Sequence, residues 1–165
     1  MENNQSAGVM QLRRLRMLHR AIFFSLLFFF LITLLLNFLN GGPMYDDRDF
    51  AEVLLYANLV MLALALPAAG IVFRKKRKEI PAEADLTTKL TLYQSPFVIR
   101  LALWEVPAMA AVIFFMMTGM VVFAGILIFM LVVILLGAPG KGTLLHDLEP
   151  EGRQREELLQ MMEER

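Results

Sequence analysis

The stretch AIFFSLLFFFLITLLLNFL, from Ala21 to Leu39, carries no charge, and only Ser25, Thr33 and Asn37 are polar. A helix rises 1.5 Å per residue, so about 20 such residues cross a hydrocarbon core of roughly 30 Å. These nineteen residues therefore read as a transmembrane helix. The basic stretch before it (Arg13, Arg14, Arg16, His19, Arg20) resembles the start of a secretory signal. Signal cores run only about 7–15 apolar residues and end at a small-x-small cleavage site, which is missing here, so a retained span is expected.

Working outward, three further apolar stretches follow. NGGPMYDDRD breaks the helix with Gly41, Gly42 and Pro43, giving an external acidic loop over 40–51. A second span covers 52–73 and stops at RKKRK, residues 74–78, a run that lipid rejects. A polar, basic connection occupies 74–96; a short surface helix is expected near ADLTTKLTLY, with Pro96 resetting the backbone before the third span at 97–118. A turn at 119 leads into the fourth span at 120–137, so these two form a tight antiparallel pair. Residues 138–165 are a polar tail, with a solvated helix expected from about Pro150.

The predicted fold is thus an all-α polytopic membrane protein, a four-transmembrane-helix bundle built from two antiparallel hairpins. Orientation follows from the basic residues. Residues 1–20 hold four (Arg13, Arg14, Arg16, Arg20), the central connection six (Arg74, Lys75, Lys76, Arg77, Lys78, Lys89) and the tail four (Lys141, Arg153, Arg155, Arg165). Only Arg48 lies in the opposite loops. Because Lys and Arg are retained on the cytoplasmic face, both termini are expected in the cytoplasm of a bacterial-type cell (inner) membrane. LLYANLVM at 54–61 also echoes VVFAGILI at 121–128, which reads either as an ancient doubling of the hairpin or as the chance likeness of apolar helices drawn from few residue types.

Composition narrows the function. The chain is 58% hydrophobic, has no cysteine and two histidines, and balances sixteen basic against sixteen acidic residues. Nucleic acid is not an expected partner. Thiolate chemistry is excluded, and neither His19 nor His146 has a second histidine at ligand spacing, so neither a metal nor a cofactor is expected. No nucleophile has an adjacent base, and an enzyme is not expected. GAPGKGT at 137–143 lacks the spacing and the preceding strand of a phosphate loop, and the acids Asp46, Asp47, Asp49 and Glu52 lack calcium-loop spacing.

The polar constellation that stands out is in the third span, SPFVIRLALWEVPAMAAVIFF. Glu105 lies eight residues past Phe97, roughly 12 Å along the helix, where an ionised carboxylate against lipid costs a few kcal/mol. Arg100 is about 140° around the helix from it and is expected to snorkel to the interface. Pro107 frees the carbonyl of Leu103, and Tyr56, Asn58 and Asn37 on other spans are possible hydrogen-bond partners for Glu105. Glu105, Arg100, Asn58 and Pro107 are therefore the candidate intramembrane polar site, either a clamp between helices or a proton site. Trp104 reads as packing. The run Arg74, Lys75, Lys76, Arg77, Lys78 is the candidate lipid-interface patch, and Ala65 and Ala69 form a small-xxx-small pair suited to close helix contact.

Four spans, a doubled hairpin and a membrane carboxylate resemble the duplicated proteolipid subunits of rotary ATPases. Here, however, the first span is rich in Phe and Leu, Glu105 sits on the first helix of its hairpin, and the hairpin loops face outside. The resemblance is architectural and no site residue is carried over from it. The expected function is a non-enzymatic accessory or assembly component, the alternative being a proton- or ion-coupled transport or channel component that uses Glu105. Expected partners are membrane lipids and either further copies of the chain or a larger membrane complex. The topology is checked by reporter fusions at Arg165 and near Tyr45, which should report opposite sides of the membrane.

Overall fold

The computed structural model describes residues 2–39, 42, 44, 47–148, 150 and 152–163. Six helices follow in order: α1 Glu2–Leu39, α2 Arg48–Lys78, α3 Leu86–Thr118, α4 Val121–Leu136, α5 Lys141–Leu148 and α6 Arg153–Glu163. The protein is an all-α helical bundle. Of the expected acidic loop, Gly41, Pro43, Tyr45 and Asp46 lie outside the described residues, as does Arg165 in the tail.

Helices outrun the apolar segments that nucleate them. Nothing between Glu2 and Arg20 forbids helix, so the basic N-terminal segment continues α1 as one rod, with Leu12 and Leu15 buried. The carboxylate of Asp47 accepts the backbone N–H groups of Asp49 and Phe50 and starts α2. α2 does not end at Phe73. The basic run forms its last turns, where cations complement the carbonyl end of the helix dipole. Charges make a helix leave lipid, but they do not make it stop.

Asp85 caps α3 in the same way, accepting from the backbone N–H of Thr88. The expected short surface helix is the first part of α3 itself, and Pro96 does not reset the backbone. α3 runs unbroken through Pro96 and Pro107, both buried. A proline deletes one ladder bond, which neighbouring helices can compensate when the proline is packed among them. At the far end Gly119 takes a left-handed φ of 63° and donates its N–H to the Phe115 carbonyl. With Met120 it makes the whole α3–α4 turn, the tight reversal that the sequence implies.

α3 is the axis of the bundle, packed against α1, α2 and α4. Phe73 of α2 meets Tyr93 while Asn58 meets Pro107, so α2 runs antiparallel to α3. Phe114 meets Phe123 while Arg100 meets Gly137, so α4 is antiparallel to α3 as well. α1 runs parallel to α3, with His19 near Phe97 and Phe30 near Phe115. α1 and α2 meet mainly across α3, so the two halves of the chain do not pack alike.

Three helices are long and apolar enough to cross a membrane, and α4 makes a fourth if its 67° bend into α5 is counted as one broken span. α4 alone has 16 residues, roughly 24 Å, a little less than the hydrocarbon core. Outward side chains are apolar, with Phe24 and Phe28 of α1 and Leu64 of α2 each more than 60% exposed. Surfaces of that kind suit lipid.

The tail is not a loose appendage. Leu158 and Met161 of α6 are buried, α6 packs on α1, and Lys89 donates to the Gln154 side chain (3.0 Å), which in turn donates to the Ala84 carbonyl (3.1 Å). The solvated helix expected here is docked. Its Leu–x–x–Met spacing gives it one apolar edge that water would otherwise face.

Gly137 supplies a packing test. A Cβ there would fall inside the Trp104 ring, whereas one at Gly142 would meet nothing. Gly137→Ala should therefore lower stability by about 1–3 kcal/mol, the usual cost of overpacking, with Gly142→Ala near neutral, read by thermal unfolding in detergent.

Candidate functional site

The candidate residues of the third span are not brought together. Asn58, fully buried on α2, donates its amide to the carbonyl of Pro107 at 3.1 Å. A helix clamp therefore exists between α2 and α3. Its members are Asn58 and Pro107, and the acceptor is the carbonyl of Pro107, not that of Leu103. The Asn58 amide oxygen is buried without a partner. Glu105 takes no part. Its side chain is half-buried and has no hydrogen bond or ion pair among the described residues. Asn37 binds the Phe115 carbonyl (3.3 Å), and Tyr56 is 65% exposed, so neither meets Glu105.

Arg100 is placed differently again. Its guanidinium carbon lies 4.1 Å from the ring centre of Phe73, 5.1 Å from Trp104 and 5.3 Å from Phe97. One terminal nitrogen donates to the Gly137 carbonyl at 3.3 Å, where α4 ends. The side chain is drawn toward the basic end of the bundle, but into an aromatic cage between α2, α3 and α4. Cation–π attraction of about 2 kcal/mol or more when desolvated explains why the cage holds a cation. The Nε atom is buried and unpartnered.

Around that cage the structure assembles residues that the sequence left unassigned. Tyr93, fully buried, stacks on Phe97 and meets Phe73 edge-on. Its hydroxyl donates to Asp147 of α5 at 2.7 Å, and the other carboxylate oxygen of Asp147 lies 3.4 Å from Arg77. His146 is 3.4 Å from the same oxygen. Tyr93 precedes the apolar span at 97–118, and burial, followed by the bond to Asp147, pushes its hydroxyl well above the ordinary tyrosine range. It stays a donor at neutral pH. His19, just before the apolar stretch of α1, is buried, and both its ring nitrogens lack partners. Burial first, then the charges of Arg100 and Arg20, hold its pKa below the usual value, so it is neutral at pH 7.

The basic run divides. Arg74, Lys75 and Lys78 are exposed and Lys76 is half-buried, while Arg77 turns inward to the carboxylate of Asp147 and the carbonyl of His146. Arg77 is thus a tether for α5 and leaves the rest of the basic run on the surface. The available signal was the apolar spacing Leu144, Leu145, Leu148, which gives α5 a face to bury and brings Asp147 with it.

Chemically, this chain of contacts (Arg77, Asp147, Tyr93, the rings, Arg100, the Gly137 carbonyl) is a latch. It fixes α5 across the end of the bundle. Among the described residues no three His, Cys, Asp or Glu side chains converge as metal ligands. Compared with protein-family models, curated proteins and solved structures, the chain matches none.

Tyr93→Phe tests the latch. The hydroxyl donates to a carboxylate, a class of hydrogen bond worth about 1.5–3 kcal/mol, so α5 should loosen and amides 141–148 exchange hydrogen roughly 10- to 100-fold faster. The effect should be equal at pH 6 and pH 8. A raised tyrosine pKa leaves its contribution whole below the unfolded value near 10, and stability falls only above that.

Proposed function

We infer that this chain is a non-enzymatic accessory or assembly component of a membrane complex, docking in the plane of the bilayer through the outward side of α3. The reading is carried by one observation: Glu105 stands half-exposed at mid-span without any partner among the described residues. On a helix it shares an arc of ~100° with Val98, Ala102, Val106 and Ile113, all exposed. A carboxylate turned toward lipid costs about 2.5–3.5 kcal/mol on insertion scales. A transmembrane helix of another protein that brings a cation or a hydrogen-bond donor to that depth removes the cost.

The remaining polar groups of the spans favour the same reading. Ser25, Thr33 and Thr118 donate to carbonyls of their own helices, and Asn37 and Asn58 join helices. No polar path leads from Glu105 through the bundle among these contacts. In this reading the chain crosses the cytoplasmic (inner) membrane four times, α4 being the fourth span, with both termini and α5 and α6 in the cytoplasm.

A photoreactive residue at Ala102 or Val106 tests the interface in intact membranes. It should crosslink to a distinct membrane protein, and Glu105→Leu should weaken that association roughly 3- to 20-fold while thermal stability in detergent is kept, from the about 0.6–1.7 kcal/mol of an intramembrane hydrogen bond. Crosslinks only to a second copy would make the partner this chain itself. Crosslinks to lipid alone, with proton flux in vesicles that Glu105→Gln abolishes, would replace assembly by transport.

A further inference from the structure

A groove away from Glu105 opens at the first half of α1. Open and about 1250 Å³ in volume, it runs between the first half of α1, the turn that enters α5, and α6. Its walls carry four cations, Arg13, Arg16 and Arg20 from α1 and Lys141 from α5, and among the described residues no acidic one lines it. On α1 the spacing 13, 16, 17, 20, 24 keeps Arg13, Arg16, Met17, Arg20 and Phe24 on one face. That face changes character along its length. Its cations span roughly 10 Å and end at Arg20, where the charge-free span begins, and Phe24 follows one turn deeper. Met17 and Phe24 are each 62% exposed. The docking of α6 forms the opposite wall, with Met161 beside Gly8.

We propose that this groove is a binding site for an anionic phospholipid of the leaflet at the basic end of the bundle, its phosphate held by the exposed Arg13 and Arg20 and its acyl chains laid along Met17 and Phe24. Charge complementarity selects an anion. Continuity with the lipid-exposed face of α1 selects a lipid over a soluble phosphate, because a soluble ligand gains nothing from an apolar strip that begins where the cations end. The size fits as well. Small-molecule pockets run about 300–1,000 Å³, so an open groove of about 1250 Å³ has room for a headgroup with its glycerol and the first chain carbons. Basic pockets beside membrane helices hold anionic headgroups by the same attraction, worth about 1 kcal/mol per cation near the surface. The site is separate from the exposed part of the basic run on α2, and a filled groove would brace α6 and α5 against α1.

The experiment uses the full chain in detergent and in nanodiscs of phosphatidylcholine with or without phosphatidylglycerol. Native mass spectrometry should retain phosphatidylglycerol on the wild type in preference to phosphatidylcholine. Arg13→Gln combined with Arg20→Gln should weaken that retention about 25-fold, fivefold for each charge. Lys75→Gln combined with Lys78→Gln, an equal charge change elsewhere, should leave it within twofold. Because the chain lacks cysteine, Met17→Cys accepts a single fluorophore with all four cations intact, and brominated phosphatidylglycerol should quench it more strongly than brominated phosphatidylcholine. This second arm decides the matter if the arginine variant fails to fold. Equal quenching by the two lipids, equal losses in the two charge variants, or displacement of the lipid by millimolar inorganic phosphate or glycerol phosphate would each overturn the proposal.

Discussion

A guanidinium one turn inside an apolar helix has to be kept from hydrocarbon, and the basic end of this bundle is organised around that need. Arg100 sits on α3, the helix that every other span touches. Phe73, Phe97 and Trp104 give it aromatic faces, and the end of α4 gives it a carbonyl. That carbonyl belongs to Gly137, whose backbone approaches Trp104 so closely that a Cβ there would collide with the ring. One cation thereby ties the ends of α2, α3 and α4 together. The aromatic cage also buries Tyr93, whose hydroxyl is then directed at Asp147. The position of α5 follows from the way the bundle accommodates Arg100.

The two ends of the bundle are held by different means. At the end with the α3–α4 turn the polar contacts are mostly short-range, with Thr118 on Phe114 and Met120 and the left-handed Gly119 closing α3, and one long-range bond, from Asn37 to the Phe115 carbonyl, adds α1. At the other end, helices continue past the apolar spans and support α5 and α6 through residues far apart in sequence, such as Lys89 with Gln154 and Arg77 with Asp147. Long-range polar ties of this kind are usable there because the groups they join need not be taken deep into lipid. Among the described residues, Asn58 with Pro107 is the polar contact that joins helices between the two ends. That leaves the middle of the bundle to apolar packing, with Glu105 as the exception that asks for a partner.

The apolar stretches and the breaks between them were legible directly, because the loss of hydration by a backbone in lipid permits little but helix and the length of each stretch sets how far it reaches. Thr118–Gly119 was legible as a tight turn for a similarly local reason: two residues leave room for nothing else. Charge made the basic run visible too, but charge says where a helix leaves lipid and not where it ends, so α2 ran on through Lys78 and α1 began at Glu2. Pro96 misled in the same way. Its effect on the backbone depends on whether neighbours replace what it removes, and no neighbour is visible in a linear sequence.

The candidate site divides along the same line. Sequence alone determined that Glu105, Arg100, Asn58 and Pro107 are costly or special in an apolar helix, since that follows from residue type and depth. Which of them meet was decided by tertiary structure. The clamp joins Asn58 to Pro107, Arg100 finds rings from two helices, and Glu105 has no hydrogen bond or ion pair among the described residues. Tyr93 and Asp147 drew no notice because each is ordinary in its own segment, and they became a pair only when α3 and α5 converged. A membrane sets which segments become helices through a one-dimensional free energy of transfer. The rotation of each helix about its axis is set by side chains from other helices, and that information exists only once the bundle is packed.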